Sequence, residues 1–282
     1  MKGMILMTIN VENFSGVNDA AAVQSAIDYA FSHNSFKTVL LSDRDYYITG
    51  KIVIKEGIRL LFGYGTRFVV NGNFRVLELQ KNASLEGAYI AIDDVNFNSP
   101  VIYLDGKYKY YNTWNKTLIK DINIVNWSGS YKGTGLHLYS NGTGHEISFV
   151  NFENINIAGL NTAVRLQSTK PATGYSWVNA NRFTNVSIDD CVQGIVFNSS
   201  ESIPNECSGN VFSNLQIQPS TKTVKLVTIS GQYNEFNGMA WDLSLVRNNT
   251  LIEFTSQSSY NKINIRSIPT SRIVDNGKFN LK

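Results

Sequence analysis

The sequence predicts an all-β solenoid, a right-handed parallel β-helix with a short N-terminal capping helix. Three observations predict it. Segments of one pattern recur along the chain, apolar and polar residues alternate inside each segment, and nothing beyond the N-terminal region keeps a helical period for long. The recurring segments are IKDINI from Ile119, NFENINI from Asn151, RFTNVSI from Arg182, VFSNLQI from Val211, EFNGMAW from Glu235 and KINIRSI from Lys262. Their apolar anchors are Ile119, Phe152, Phe183, Phe212, Phe236 and Ile263, at intervals of 33, 31, 29, 24 and 27 residues. Unequal intervals suit one rung per repeat with loops of different length.

Within a rung the alternation is that of a strand. Phe183, Val186 and Ile188 point one way, and Thr184, Asn185 and Ser187 lie between them. A turn, DDCVQG, then leads to a second strand at Ile195–Phe197. Each rung therefore holds about three short strands, two tight corners and one variable corner. Asn154, Asn185 and Asn214 hold equivalent places near a corner, which predicts a ladder in which each side chain bonds the backbone of its neighbour.

The N-terminal region is different. Asn18 or Asp19 caps a predicted helix through AAAVQSAIDYAF, with Ala22, Val23, Ala26, Ile27, Ala30 and Phe31 as its apolar stripe. Such a helix covers the open end of a solenoid, where bare core and strand edges would face water. The expected organisation is an N-terminal segment and capping helix over 1–35, rungs over 36–268 and a C-terminal tail over 269–282.

Composition narrows the function. Apolar residues make up 43% of the 282, enough for a continuous core, while charged residues are only 17%, so Asn, Ser, Thr, Gly and Tyr fill the surface. A net charge of +3 is too small to imply nucleic acid. No apolar run approaches the roughly 20 residues of a membrane span. The start, MKGMILMTINVENF, lacks the apolar stretch and cleavage site of a signal peptide, so no ordinary secretion route is expected. Cys191 and Cys207 read as two buried thiols rather than a disulfide. Zinc spacing, an EF-hand loop, a phosphate loop and a dinucleotide fingerprint are all missing, so no metal or cofactor is expected.

GVNDAAAVQSAIDYAF resembles the opening of the pectate-lyase-like superfamily, and VLLSDRDYYITGKIVIKEGIRLLFGYGTRF from Val39 resembles its first rungs. The resemblance covers about the first quarter of the chain. It implies a right-handed parallel β-helix that binds or cuts polysaccharide. It also implies a place among phage or prophage appendages, virion-borne and acting at the host cell surface, rather than among secreted plant-polymer enzymes. Its activity would be that of a glycoside hydrolase or polysaccharide lyase; the alternative is a non-catalytic carbohydrate- or receptor-binding appendage. Tailspike-like members are often homotrimers, so the resemblance makes a trimer one candidate assembly, with a monomer the other. The superfamily's catalytic signatures do not carry over: Gly144-His145-Glu146 only grazes the Gly-His-Gly pattern, and Asp189-Asp190 stands without its companions.

The loops after VIYL (from Val101), GLHL (Gly135), AVRL (Ala163), GIVF (Gly194) and KLV (Lys225) should leave one side of the solenoid together. A short loop between two long ones predicts a trough at residues 138–147. One wall carries Tyr108, Tyr110, Tyr111 and Trp114, the other Tyr175 and Trp177. Aromatic faces stack on sugar rings, and Lys107, Lys109, Lys116 and Lys170 would attract anionic groups. The competing reading is that these aromatics seal the core. Asp105 and Glu146 are the candidate carboxylate pair for hydrolysis, with Glu201 and Glu206 in reserve. His145 or His137 is the candidate base for β-elimination, with Arg165 neutralising a uronate.

Overall fold

The computed structural model describes residues 7–199 and 206–282. The chain is a right-handed parallel β-helix, and its described strands form three parallel sheets of 13, 9 and 4 strands. One rung shows the path: Thr134–Ser140 lies in the nine-stranded sheet, His145–Ser148 in the four-stranded sheet and Asn151–Ala158 in the thirteen-stranded sheet. Thr162–Ser168 then re-enters the nine-stranded sheet one rung on.

The six anchors form one unbroken register column, Ile119↔Phe152↔Phe183↔Phe212↔Phe236↔Ile263. The rung spacing of about 4.8 Å is close to a stacking distance, so the four Phe rings stack at 4.5, 4.2 and 5.2 Å, nearly parallel and fully buried. Truncating one to Ala costs about 3–5 kcal/mol.

The Asn ladder forms with a different bond from the one expected. Asn154, Asn185 and Asn214 are exposed, have positive φ, and bond side chain to side chain: Asn185 Nδ2 donates to Asn154 Oδ1 (2.9 Å) and Asn214 Nδ2 to Asn185 Oδ1 (2.7 Å). Left-handed backbone turns each amide outward, and Asn tolerates that conformation better than other side chains. A second ladder, unanticipated from sequence, runs through Asn181, Asn210, Asn234 and Asn261, all buried, to Asn280. From Asn210 onward each Oδ1 accepts the preceding rung's Asn backbone N–H as well as its Nδ2–H, while Asn181 Oδ1 accepts the Val150 N–H at 3.0 Å. Each Nδ2 also donates to a carbonyl, as Asn210 does to Val178 O at 2.9 Å. This column satisfies the backbone of a corner that is sealed from water.

Asn18 caps the helix Asp19–Ser32, its Oδ1 accepting the Ala21 N–H at 2.9 Å. Ala22, Val23, Ala26, Ile27 and Ala30 are buried as the stripe requires. Phe31 is a correction: it stands 46% exposed with the Lys55 ammonium over its ring. No helix among the described residues is long and apolar enough to cross a membrane. Parallel pairing extends beyond the rungs read from sequence, through Met7–Asn10 at one end and Ile273–Asp275 at the other. Cys191 and Cys207 are free, buried thiols, each pushed up to about 12 by burial.

Candidate functional site

The strands VIYL, GLHL, AVRL and GIVF do stack, in the register Ile102↔Leu136↔Val164↔Ile195. Those residues point into the core. The next position of each strand therefore points out, and it builds a column Glu78↔Tyr103↔His137↔Arg165 on the outer face of the nine-stranded sheet. A second outward column, Asp105↔Tyr139↔Gln167, runs beside it. Strand parity alone thus gathers two acids, two tyrosines, an imidazole and a guanidinium on one flat face.

Over these columns lies an open depression of about 410 Å³. Arg75, Tyr103, His137, Tyr139, Arg165 and Gln167 line it. The Arg75 guanidinium sits 4.0 Å over the Tyr103 ring, and His137 meets Tyr103 edge-on at 5.4 Å and Tyr139 at 5.8 Å.

Two buried nitrogens in this depression have no hydrogen-bond partner, Arg165 Nε and His137 Nε2. Arg165 has one long contact, Nη2 to Thr162 Oγ1 at 3.5 Å, and no carboxylate pairs with it among the described residues. Burial pulls its pKa down, as it must for a cation taken from water without a counter-charge. Burial also drives His137 down to about 4, with the Arg165 and Arg75 charges adding to the effect against a Gln167 hydrogen bond. The imidazole is therefore neutral at pH 7. Each orphaned group costs about 1–3 kcal/mol; a bound anion would offset the cost at Arg165 Nε, and a proton donor the cost at an unprotonated His137 Nε2.

Glu78 closes the end of the column and was not foreseen. It is only 3% exposed, yet it is fully paired: Tyr108 Oη donates to Oε1 at 2.8 Å, and Lys51, Lys107 and Arg75 approach at 3.3, 3.5 and 3.8 Å. Burial pushes its carboxyl up, but the Tyr108 bond and the lysine charges outweigh that and leave it below the ordinary value. Aligning VLEL from Val76 with VIYL, GLHL and AVRL would have found it, because Glu78 occupies their outward position.

No protein-family model matches the sequence, and no curated protein matches it. Solved structures with similar folds include the ORF18 protein of Geobacillus virus E2, at 16% identity and a TM-score of 0.46 over 97% of this chain and 60% of that one. The Streptococcus pneumoniae surface protein and adhesin PfbA is similar at 10% identity and 0.36, covering 97% of each chain. A mutant tailspike protein of E. coli bacteriophage HK620, in complex with a pentasaccharide, is similar at 10% and 0.36, over 95% of this chain and 65% of that one. The likeness is one of fold. The chain spans less than two thirds of the length of the viral proteins in this comparison.

The other residues picked from sequence scatter. Tyr110 is a correction: it is fully buried, its hydroxyl donates to the Leu79 carbonyl, and it seals the core. Tyr108 is half-buried and committed to Glu78, and Tyr111 packs against Phe149 at 5.1 Å. Asp105 is spent locally: Oδ1 accepts the Lys107 N–H at 3.1 Å, and Oδ2 lies 3.3 Å from Lys107 Nζ. Glu146 sits in the four-stranded sheet opposite Trp177, and burial raises its pKa against the pull of Lys109. Asp105 and Glu146 therefore belong to different sheets. The His145 ring fills the space over Gly142, where an added Cβ would come within 2.3 Å of it. Trp177 Nε1 donates to Ser148 Oγ at 3.1 Å. Tyr175 and Trp114 are exposed.

The trough expected at 138–147 is bridged: Thr143 Oγ1 bonds Thr173 O at 2.5 Å, and the Gly144 N–H donates to Tyr175 O at 2.8 Å. Glu206 is buried with a raised pKa, set first by desolvation; Glu201 lies outside the described residues. Among those residues no group of side chains is arranged to hold a metal ion.

Proposed function

We propose that the chain binds an acidic polysaccharide on the outer face of its nine-stranded sheet and cleaves it there by β-elimination. The observation that carries this is the pair of orphaned, buried nitrogens, Arg165 Nε and His137 Nε2, in a depression that also holds Arg75. A uronate carboxylate between the two guanidiniums would supply the missing counter-charge. It would also cancel the repulsion that depresses His137, raising the imidazole's basicity when substrate is present.

The chemistry then follows from the side chains. Two guanidiniums neutralising the carboxylate acidify the adjacent C5 proton. His137 Nε2 takes that proton, a C4=C5 double bond forms, and the C4–O bond breaks. The leaving oxygen takes a proton from a phenol. Tyr103, whose ring lies 5.4 Å from that of His137, is assigned as the donor, and burial, aided by Asp105, keeps it protonated far above neutral pH. Within this proposal the protein is a phage or prophage appendage working at a host cell surface, as the resemblance of its opening motif implies. Its assembly as a homotrimer is a separate proposal, read by light scattering.

The test is a panel of polygalacturonate, uronate-bearing capsular polymers and teichoic acids. Reducing ends and the ultraviolet absorbance of the unsaturated uronate are followed in parallel. New absorbance that disappears in His137→Gln and Arg165→Ala supports elimination. Reducing ends without absorbance would move the chemistry to Glu146 and make the protein a hydrolase. Binding with no product from any polymer would leave a receptor-binding β-helix.

A further inference from the structure

A second concave surface lies where residues 111–117 meet the thirteen-stranded sheet. Two adjoining depressions of about 420 and 330 Å³ share Lys116 and Leu118. Their floor includes one register column, Thr38↔Arg59↔Ser84↔Leu118↔Asn151↔Arg182. Six successive rungs at about 4.8 Å make a groove roughly 24 Å long, parallel to the solenoid axis. That is the shape of an extended chain, not of a small molecule.

One wall of the groove is a loop held from every side. Asn112 Nδ2 donates to Thr117 O and its Oδ1 accepts the Thr117 N–H, at 2.7 and 3.0 Å. Asn115 Oδ1 accepts the Tyr111 N–H at 2.9 Å. The loop is also tied to the rung below, since Lys116 N–H donates to Asn82 Oδ1 and Asn82 N–H to Thr117 Oγ1. At its tip, between the lining residues Thr113 and Asn115, Trp114 stands 87% exposed. A large apolar ring held in water by a braced loop is a preorganised contact surface, because ordering it on binding costs little further entropy.

The charge of the groove selects its ligand. Arg59 is paired with Glu86. Lys37, Lys116 and Arg182 have no carboxylate partner among the described residues, against the single further acid Glu153. We propose that this groove is a second glycan site, separate from the nine-stranded face, that takes several consecutive units of a polyanionic polysaccharide. Trp114 stacks on a sugar ring, and Lys37, Lys116 and Arg182 meet the carboxylates or phosphates spaced along the chain.

The test is calorimetric titration with oligogalacturonates of increasing length, with a glycerol-phosphate teichoic acid, and with neutral dextran as control. The proteins are the unsubstituted chain, Trp114→Ala, Lys116→Ala/Arg182→Ala and Arg75→Ala/Arg165→Ala. The expected result is a loss of about tenfold in affinity for long polyanions in Trp114→Ala. A similar or larger loss is expected in the Lys116/Arg182 variant, and length-dependent binding is retained in the Arg75/Arg165 variant. The two polyanions separate carboxylate from phosphate recognition. Unchanged affinity in both groove variants would overturn this site and leave the nine-stranded face intact. So would complete loss of binding in the Arg75/Arg165 variant. A melting temperature lowered in Trp114→Ala, in step with binding, would mark the ring as structural and overturn the proposal too.

Discussion

The outer faces of the thirteen- and nine-stranded sheets are made of the same repeated strand, yet they treat charge differently. On the thirteen-stranded face, cations find acids across the rungs: Arg67 holds Asp45 through two bonds of 2.6 and 2.9 Å, and Lys262 holds Glu235 at 3.2 Å. Those groups are exposed, and each pair contributes little. On the nine-stranded face, Glu78 is satisfied four times over, while two and three rungs further on His137 and Arg165 each keep a buried nitrogen unsatisfied. Two buried nitrogens left unpaired beside a carboxylate that is fully paired point to where a ligand belongs.

The largest expected effect comes from erasing that difference. Arg165→Met keeps the stem that packs on the sheet and removes the unpaired charge. The affinity of this face for a short acidic oligomer should fall a hundredfold or more, since truncating one side of a desolvated charge pair costs about 2–5 kcal/mol. Stability in urea should hold or rise, because no internal partner is lost. A stability loss with binding unchanged would make Arg165 an ordinary structural residue.

Next comes the pH dependence of His137. Its folded pKa, about 4, lies below the ordinary imidazole value of 6.5. The unfolded chain therefore binds a proton that the folded chain refuses as pH falls through that window. Stability should drop by about 3 kcal/mol between pH 6.5 and 4 and be fully present above it. Urea unfolding across that range should show the slope, and His137→Gln should flatten it.

The two Asn ladders give a smaller contrast. Asn210→Ala strands the Asn181 N–H and the Val178 carbonyl in a buried corner, and should cost about 2–4 kcal/mol in denaturant unfolding. Asn185→Ala, on the exposed ladder, should cost about 1 kcal/mol, and Asn185→Gly less, since Gly accepts positive φ. Smallest is Arg67→Ala, expected to leave urea stability and glycan binding both nearly unchanged, since the pair with Asp45 is open to solvent.

The repeat was legible because it is written in register. Every anchor from Ile119 to Ile263 pairs with the next, and the same alignment that finds the core also finds the outward columns one position away. His137 and Arg165 were visible for that reason, and Glu78 would have been with one more strand aligned. The aromatic wall was less legible. Whether Tyr110 points in or out depends on strand parity in the two-residue strand Tyr110–Tyr111, too short to display an alternation. The trough failed for another reason: loop lengths can be counted in sequence, but the bond from Thr143 to Thr173 that bridges the gap cannot. The buried ladder was missed because Asn181, Asn210, Asn234 and Asn261 precede their strands and look like turn residues.

The most direct test of the central claim is the titration of the His137 ring by NMR, with and without oligogalacturonate; the chain has only three histidines. Without ligand the ring should titrate near 4. With a carboxylate between Arg75 and Arg165 its pKa should rise, and its resonances should shift at pH 7. An unmoved His137 in a protein that demonstrably binds the oligomer would place the glycan elsewhere and contradict the assignment of this face.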